Sequence, residues 1–227
     1  SAGGFLTEGW EQWFVRHKIV LDPALRGTFI PNALDPAFST VGRSERNPWQ
    51  VVSCGALSPL KNTLGILRAF ARVHRVQPNA RLVVIGQGDR AYEAMCRALV
   101  RRQGTANSVQ FLGWLHPQKV AETMRNSAVF VQFSRRENAP LVIIEALASG
   151  CAVVASDVGA VRSYLQADPW SYLVDRRDEA ALAEAMLSAL SDSVDEVRRQ
   201  ALVRPFRRDV VGDLTLSVYR QVIREFR

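Results

Sequence analysis

The chain has 227 residues, an apolar share of 48% and a formal net charge of +7. That length suits one large domain or two small ones, with enough apolar side chain for a real core. No apolar run reaches the roughly 18 residues of a membrane span. The positive balance is carried by arginine and favours anionic partners. The arginines are scattered, with no aromatic-interleaved stripe, so nucleic acid is not expected. Adjacent pairs (Arg101-Arg102, Arg135-Arg136, Arg176-Arg177, Arg198-Arg199 and Arg207-Arg208) instead permit peripheral contact with an acidic surface, a membrane included. Three dispersed cysteines, Cys54, Cys96 and Cys151, form no C-x-x-C pair and read as reduced thiols of a cytoplasmic protein. His17, His74 and His116 lie far apart, so no metal site is expected.

In chain order, "SAGG" resembles a cloning scar, and residues 5–34 carry an aromatic cluster (Trp10, Trp13, Phe14) before a strand-like "GTFIPNALD". From Trp49 onward short apolar runs alternate with helical patterns. The strands expected are "QVVSCG", "RLVVIG", "VQFLG", "AVFVQF" and "AVVAS". Several are apolar throughout and β-branched, as in parallel strands buried on both faces. Helices are expected near 62–76, 90–103, 117–126 and 140–149. On the first of them Arg68, Arg72 and Arg75 oppose Ile66, Phe70 and Val73, which reads as a solvated face. Strand–helix alternation at this spacing predicts an α/β, Rossmann-like, doubly wound parallel sheet. From about 178 the chain turns helical, and Leu216, Tyr219, Ile223 and Phe226 form an apolar stripe near its end.

Candidate site residues fall where strands end. "RRENAPLVIIEALASGCAVVAS" sets Glu137 and Glu145 around Pro140 at a helix start. Pro140 suits the first turn, leaving Asn138 or Ala139 as the cap. The unpaired N–H groups of residues 139–142, Leu141 among them, would then meet a phosphate. Ionised carboxylates accept hydrogen bonds only, so the two glutamates could take hydroxyls of sugar rings. Equally, Glu137 could favour the helix dipole and Glu145 be merely exposed. In "VSCGALSPLKN", Lys61 sits at a helix start within reach of the same edge. "VVIGQGDRA" fits G-x-G-x-x-A, yet the acid that a dinucleotide site expects about 20 residues on is missing. Gly86 and Gly88 therefore read as permitting close approach of a ligand, or a tight turn.

Taken in order, "FIPNALD", "GALSPLKN", "LVVIGQGD", "VQFLGWL" and "FVQFSRRENAPLVIIEALASGCAVVASDVGAVRSYL" resemble the motifs of the family-four glycosyltransferases. These are retaining enzymes of the GT-B architecture, in which two Rossmann-like domains face across a cleft. The resemblance implies that residues 35–227 are the nucleotide-sugar donor-binding domain and residues 1–34 an interdomain segment. It implies that Glu137 touches the donor sugar and Glu145 the ribose. Lys61 and the amides around Asn138, Ala139, Pro140 and Leu141 would hold the diphosphate. Gly86, Gly88, Gly113 and Trp114 would border the base. The donor is a substrate, and no cofactor or metal is expected. Ala56 stands where the family usually has arginine, a cation for which Arg135 or Arg136 could substitute. The partner expected is an amino-terminal acceptor domain of the same enzyme, without which this piece should bind donor and turn over little. The expected role is sugar transfer to an acceptor hydroxyl in polysaccharide or glycolipid synthesis, on the cytoplasmic side. A GT-B nucleotide-sugar epimerase and a degenerate nucleotide-binding module are the alternatives.

Overall fold

A computed structural model describes residues 2–5, 26–38, 46–192, 194 and 201–225. The expectations placed on Trp10, Trp13, Phe14, His17, Arg198-Arg199 and Phe226 lie outside the described residues. Near the start, β1 (Ala2–Phe5) pairs in parallel with β2 (Arg26–Phe29).

The main sheet follows from the apolar runs. It comprises β3 (Asn47–Cys54), β4 (Arg81–Ile85), β5 (Val109–Gly113), β6 (Ser127–Gln132), β7 (Ala152–Ser156) and β8 (Ser171–Val174). Strand order is β5-β4-β3-β6-β7-β8, with every pairing parallel. The helices are α1 (Thr63–Val76), α2 (Arg90–Arg102), α3 (Pro117–Arg125), α4 (Leu141–Ala148), α5 (Val161–Leu165), α6 (Glu179–Ser191) and α7 (Arg208–Glu225). The sequence reading found five of the six strands; β8 is a short strand at the sheet edge, most of it only half-buried.

Side chains alternate along each strand, so one strand feeds two cores. Val51, Leu82, Val84, Val129, Val131 and Val154 pack with Phe70, Leu182 and Met186 under α1, α2 and α6. Val52, Val83, Ile85, Phe130 and Val153 pack with Met124, Ile143, Ile144 and Leu165 under α3, α4 and α5. Both faces are dry, which is why these strands read as uniformly apolar rather than alternating. Burying each large side chain contributes about 1.5–3 kcal/mol.

Two features fix the site's supports. At the amino edge of the sheet, Arg46 donates to the carbonyls of Arg125, Ser149 and Gly150, where α3 and α4 end. A cation there also suits the negative ends of both helices. At the carboxyl edge, strand order reverses between β3 and β6, and such a reversal opens a crevice between diverging loops.

Candidate functional site

The loops at that reversal bring together residues far apart in sequence. The loop after β3 carries Lys61, two residues before α1 and next to Asn62, whose φ of 52° is left-handed. The loop after β6 carries Glu137. Lys61 Nζ and Glu137 Oε1 are 2.5 Å apart, with side chains 31% and 9% exposed. Gln132, the last residue of β6, donates its side-chain amide to the same Glu137 oxygen at 3.0 Å. Glu137 is thus fixed by two donors rather than merely favouring a helix dipole. The Gln132 Oε1 atom is buried with no partner.

The α4 start differs in one detail from the sequence reading. Pro140 is itself the cap, extended at ψ 106°, and the helix begins at Leu141, so neither Asn138 nor Ala139 caps it. Proline lacks the N–H that a first-turn residue would leave unpaired, and it serves as well one position earlier. The N–H groups of Leu141 and Val142 still open the helix without an intrahelical acceptor. Asn138 is held from behind: its carbonyl accepts from the Ala160 N–H at 2.8 Å. Gly159, at φ 59°, lies so close that a Cβ there would sit 2.4 Å from the Glu137 carbonyl oxygen. That glycine was not singled out from sequence, although its place in a "DVGA" turn carries the signal.

Glu145 lies in the second turn of α4, half-buried. Burial, and secondarily the charge of Asp35, push its carboxyl up to about 7. Its charge acts on the Cys54 thiol at the end of β3, as does that of Lys61. Desolvation above all, then Glu145, push that thiol up to about 12. Glu145, from α4, and Lys61, with its partner Glu137, therefore both lie near the carboxyl end of β3. The space directly beneath, lined by Cys54, Gly55, Ala56, Lys61 and Gln132, is about 10 Å³. That is room for about one water and too little for a larger ligand.

Gly86 and Gly88 sit in tightly packed turns. A Cβ on Gly86 would lie 1.9 Å from the Gly55 carbonyl oxygen, and one on Gly88 2.1 Å from that of Leu57. The close approach is of this chain's own backbone. Gly55 N–H donates to Ile85, Leu57 N–H to Gln87 and Gly86 N–H to Gly113, which stitches the loops after β3, β4 and β5 into one rim. Gly113 turns at φ 69°, and Trp114 beyond it is 66% exposed.

Two cations fall elsewhere. Arg135 lines a separate cleft and not the space around Lys61 and Ala56. Arg68, assigned from sequence to a solvated face, makes a two-pronged ion pair with Glu179 at 2.6–3.0 Å. No group of three or more His, Cys, Asp or Glu side chains converges among the described residues. No described helix is long and apolar enough to cross a membrane.

A parallel sheet in this strand order, with the crevice at its reversal, is a Rossmann-like, doubly wound domain, a class that many functions share. Comparison with known proteins makes the assignment specific: residues 37–203 match the family "Glycosyl transferases group 1", and the chain belongs to that family. A phosphatidyl-myo-inositol mannosyltransferase of Mycobacterium tuberculosis is 31% identical over 207 residues, covering 85% of this chain and 53% of that protein. A D-inositol 3-phosphate glycosyltransferase of Acidothermus cellulolyticus is 32% identical over 187 residues, covering 78% and 42%. The chain spans about half the length of the curated relatives it matches. In fold it is similar to a sucrose-phosphate synthase from Thermosynechococcus elongatus, with TM-score 0.76 and 21% identity over 99% of this chain and 59% of that one.

Proposed function

We propose that this chain is the donor-binding part of a retaining glycosyltransferase that moves a sugar from a nucleoside diphosphate to an acceptor hydroxyl. The observation that carries the reading is the convergence of Lys61, Glu137, Glu145 and the start of α4 at the sheet's reversal. Lys61 and the free amides of α4 meet the charge that develops on the departing diphosphate, the kind of fixed electrostatics that lowers such barriers. Glu137, oriented by Lys61 and Gln132, accepts hydroxyls of the transferred sugar. Glu145 accepts hydroxyls of the ribose, most strongly in its ionised, acceptor-only form. Neither step calls for a metal or cofactor. Retention of configuration enters through family membership.

The relatives' names, a mannosyltransferase acting on phosphatidyl-myo-inositol and a glycosyltransferase of D-inositol 3-phosphate, favour a role in glycolipid or polysaccharide synthesis. The acceptor half is expected from an amino-terminal domain of the same protein. Exposed arginine pairs such as Arg101-Arg102 and Arg207-Arg208 support a place at the cytoplasmic face of an acidic membrane.

Calorimetric titration with UDP, GDP and ADP tests the reading. One of the three should bind, and binding should weaken about tenfold or more in Lys61→Ala, as a charge-assisted hydrogen bond is lost. Loss in Glu145→Ala would support the ribose role. No binding of any of the three to the intact chain would overturn the proposal in favour of a degenerate module.

A further inference from the structure

A second cleft opens on the same edge of the sheet, away from the Lys61–Glu137 pair. It has a volume of about 520 Å³ and is lined by Asn62, Arg68, Phe133, Arg135, Arg176, Arg177 and Glu179. It lies where the start of α1, the loop after β6 and the loop after β8 meet. We propose that this cleft is an oxyanion site for a phosphate-bearing ligand of sugar-phosphate size, distinct from the diphosphate of the donor.

The charge balance supports this directly. Glu179 is the one acid among the lining residues, and Arg68 takes both of its oxygens. Two further carboxylates on the same loop stay charged but are turned to backbone N–H groups. Asp175 accepts from the Arg177 N–H, and Asp178 accepts from the N–H groups of Ala180 and Ala181. Arg135, Arg176 and Arg177 make no ion pair with a carboxylate among the described residues. Three like charges held around one opening repel each other, and an anion between them relieves that repulsion.

All three arginines are solvent-exposed, and hydrogen bonds anchor the loops that carry them. Arg176 Nη1 donates to the Arg135 carbonyl at 2.9 Å, tying the two loops together. The Arg135 N–H donates to Leu60 at 2.8 Å, which fixes where its side chain starts. Planar guanidinium forks match phosphate oxygens two at a time. Phe133, fully buried, backs the cleft from the core side, and the largely buried Asn62 lines it as well. The volume exceeds what inorganic phosphate needs, so a ring bearing the phosphate fits better. The cleft stands whether or not the donor reading is right, because neither Lys61 nor Glu145 lines it.

Glucose 6-phosphate, unphosphorylated glucose, and phosphatidylcholine vesicles with or without phosphatidic acid are the probes, which separate a free sugar phosphate from a lipid headgroup. Arginine-dependent binding of either phosphorylated probe is the expected result and identifies the source. Affinity should fall about tenfold in each of Arg135→Ala and Arg177→Ala, the loss of one charge-assisted contact. It should stay unchanged in Lys61→Ala. Nucleoside diphosphate titration of the same arginine variants, with unchanged thermal unfolding, keeps this result separate from the donor reading. Binding of neither phosphorylated probe, equal binding of glucose, or loss of binding in Lys61→Ala alone would overturn the proposal.

Discussion

Replacing Glu145 with glutamine should make the protein more stable and worse at holding its ligand. The carboxyl is pushed from 4.5 to about 7, first by burial and then by Asp35, and its side chain has no hydrogen bond or ion pair among the described residues. At about 1.36 kcal/mol per unit, ionising it costs about 3 kcal/mol more in the folded protein than in the unfolded chain. The folded state holds the proton longer, so stability falls as pH rises from 4.5 to about 7, and the full cost is present above that. Glutamine keeps the shape and removes the charge. Relative to wild type, Glu145→Gln should gain about 2–3 kcal/mol near pH 8 and about 1 kcal/mol near pH 5. In urea that is a midpoint shift of about 1 M at the higher pH. The comparison cancels other titrating groups, which both proteins share. Equal midpoints at both pH values would refute the reasoning. A buried acid kept at such a cost fits a residue retained for binding rather than for folding.

Three other outcomes are expected. Gly86→Ala should cost about 3 kcal/mol or more, because a Cβ would meet the Gly55 oxygen at 1.9 Å; a urea midpoint near wild type would show that the rim can yield. Arg68→Ala should cost no more than about 1 kcal/mol, since the paired side chains are 42% and 25% exposed; the loss should shrink in high salt, and a salt-independent loss would point to packing. Ala56→Arg adds a cation at the end of β3 beside Lys61 and should tighten nucleoside diphosphate binding about tenfold; unchanged calorimetric affinity would mean that the added side chain does not reach the phosphates.

The sheet was legible because a parallel strand buried on both faces is apolar along its buried run, as at positions 82–85 and 152–155. The β8 strand escaped because Ser171–Val174 is short and half-buried at an edge, so burial does not purify its sequence. Lys61 and Glu137 were legible as residue types at strand ends; that they touch depends on a sheet register joining positions 76 apart. Gln132 went unnoticed for the same reason, although a polar residue closing the apolar "SAVFVQ" was a visible signal. A glycine announces that something comes close but not what, and the sequence could not say that Gly86 and Gly88 pack on the carbonyls of Gly55 and Leu57. Arg68 looked solvated because its partner, Glu179, lies 111 positions away.

The proposed donor site is a phosphate-and-hydroxyl grip at one place on the sheet edge. Amide chemical-shift mapping by NMR, with whichever of UDP, GDP or ADP binds, tests that place directly. The largest shifts should fall on Ala139, Leu141 and Val142, on the loop from Gly55 to Lys61, and on Gly86–Gly88. Shifts confined to Asn62, Arg135, Arg176 and Arg177, or to α7, would contradict it.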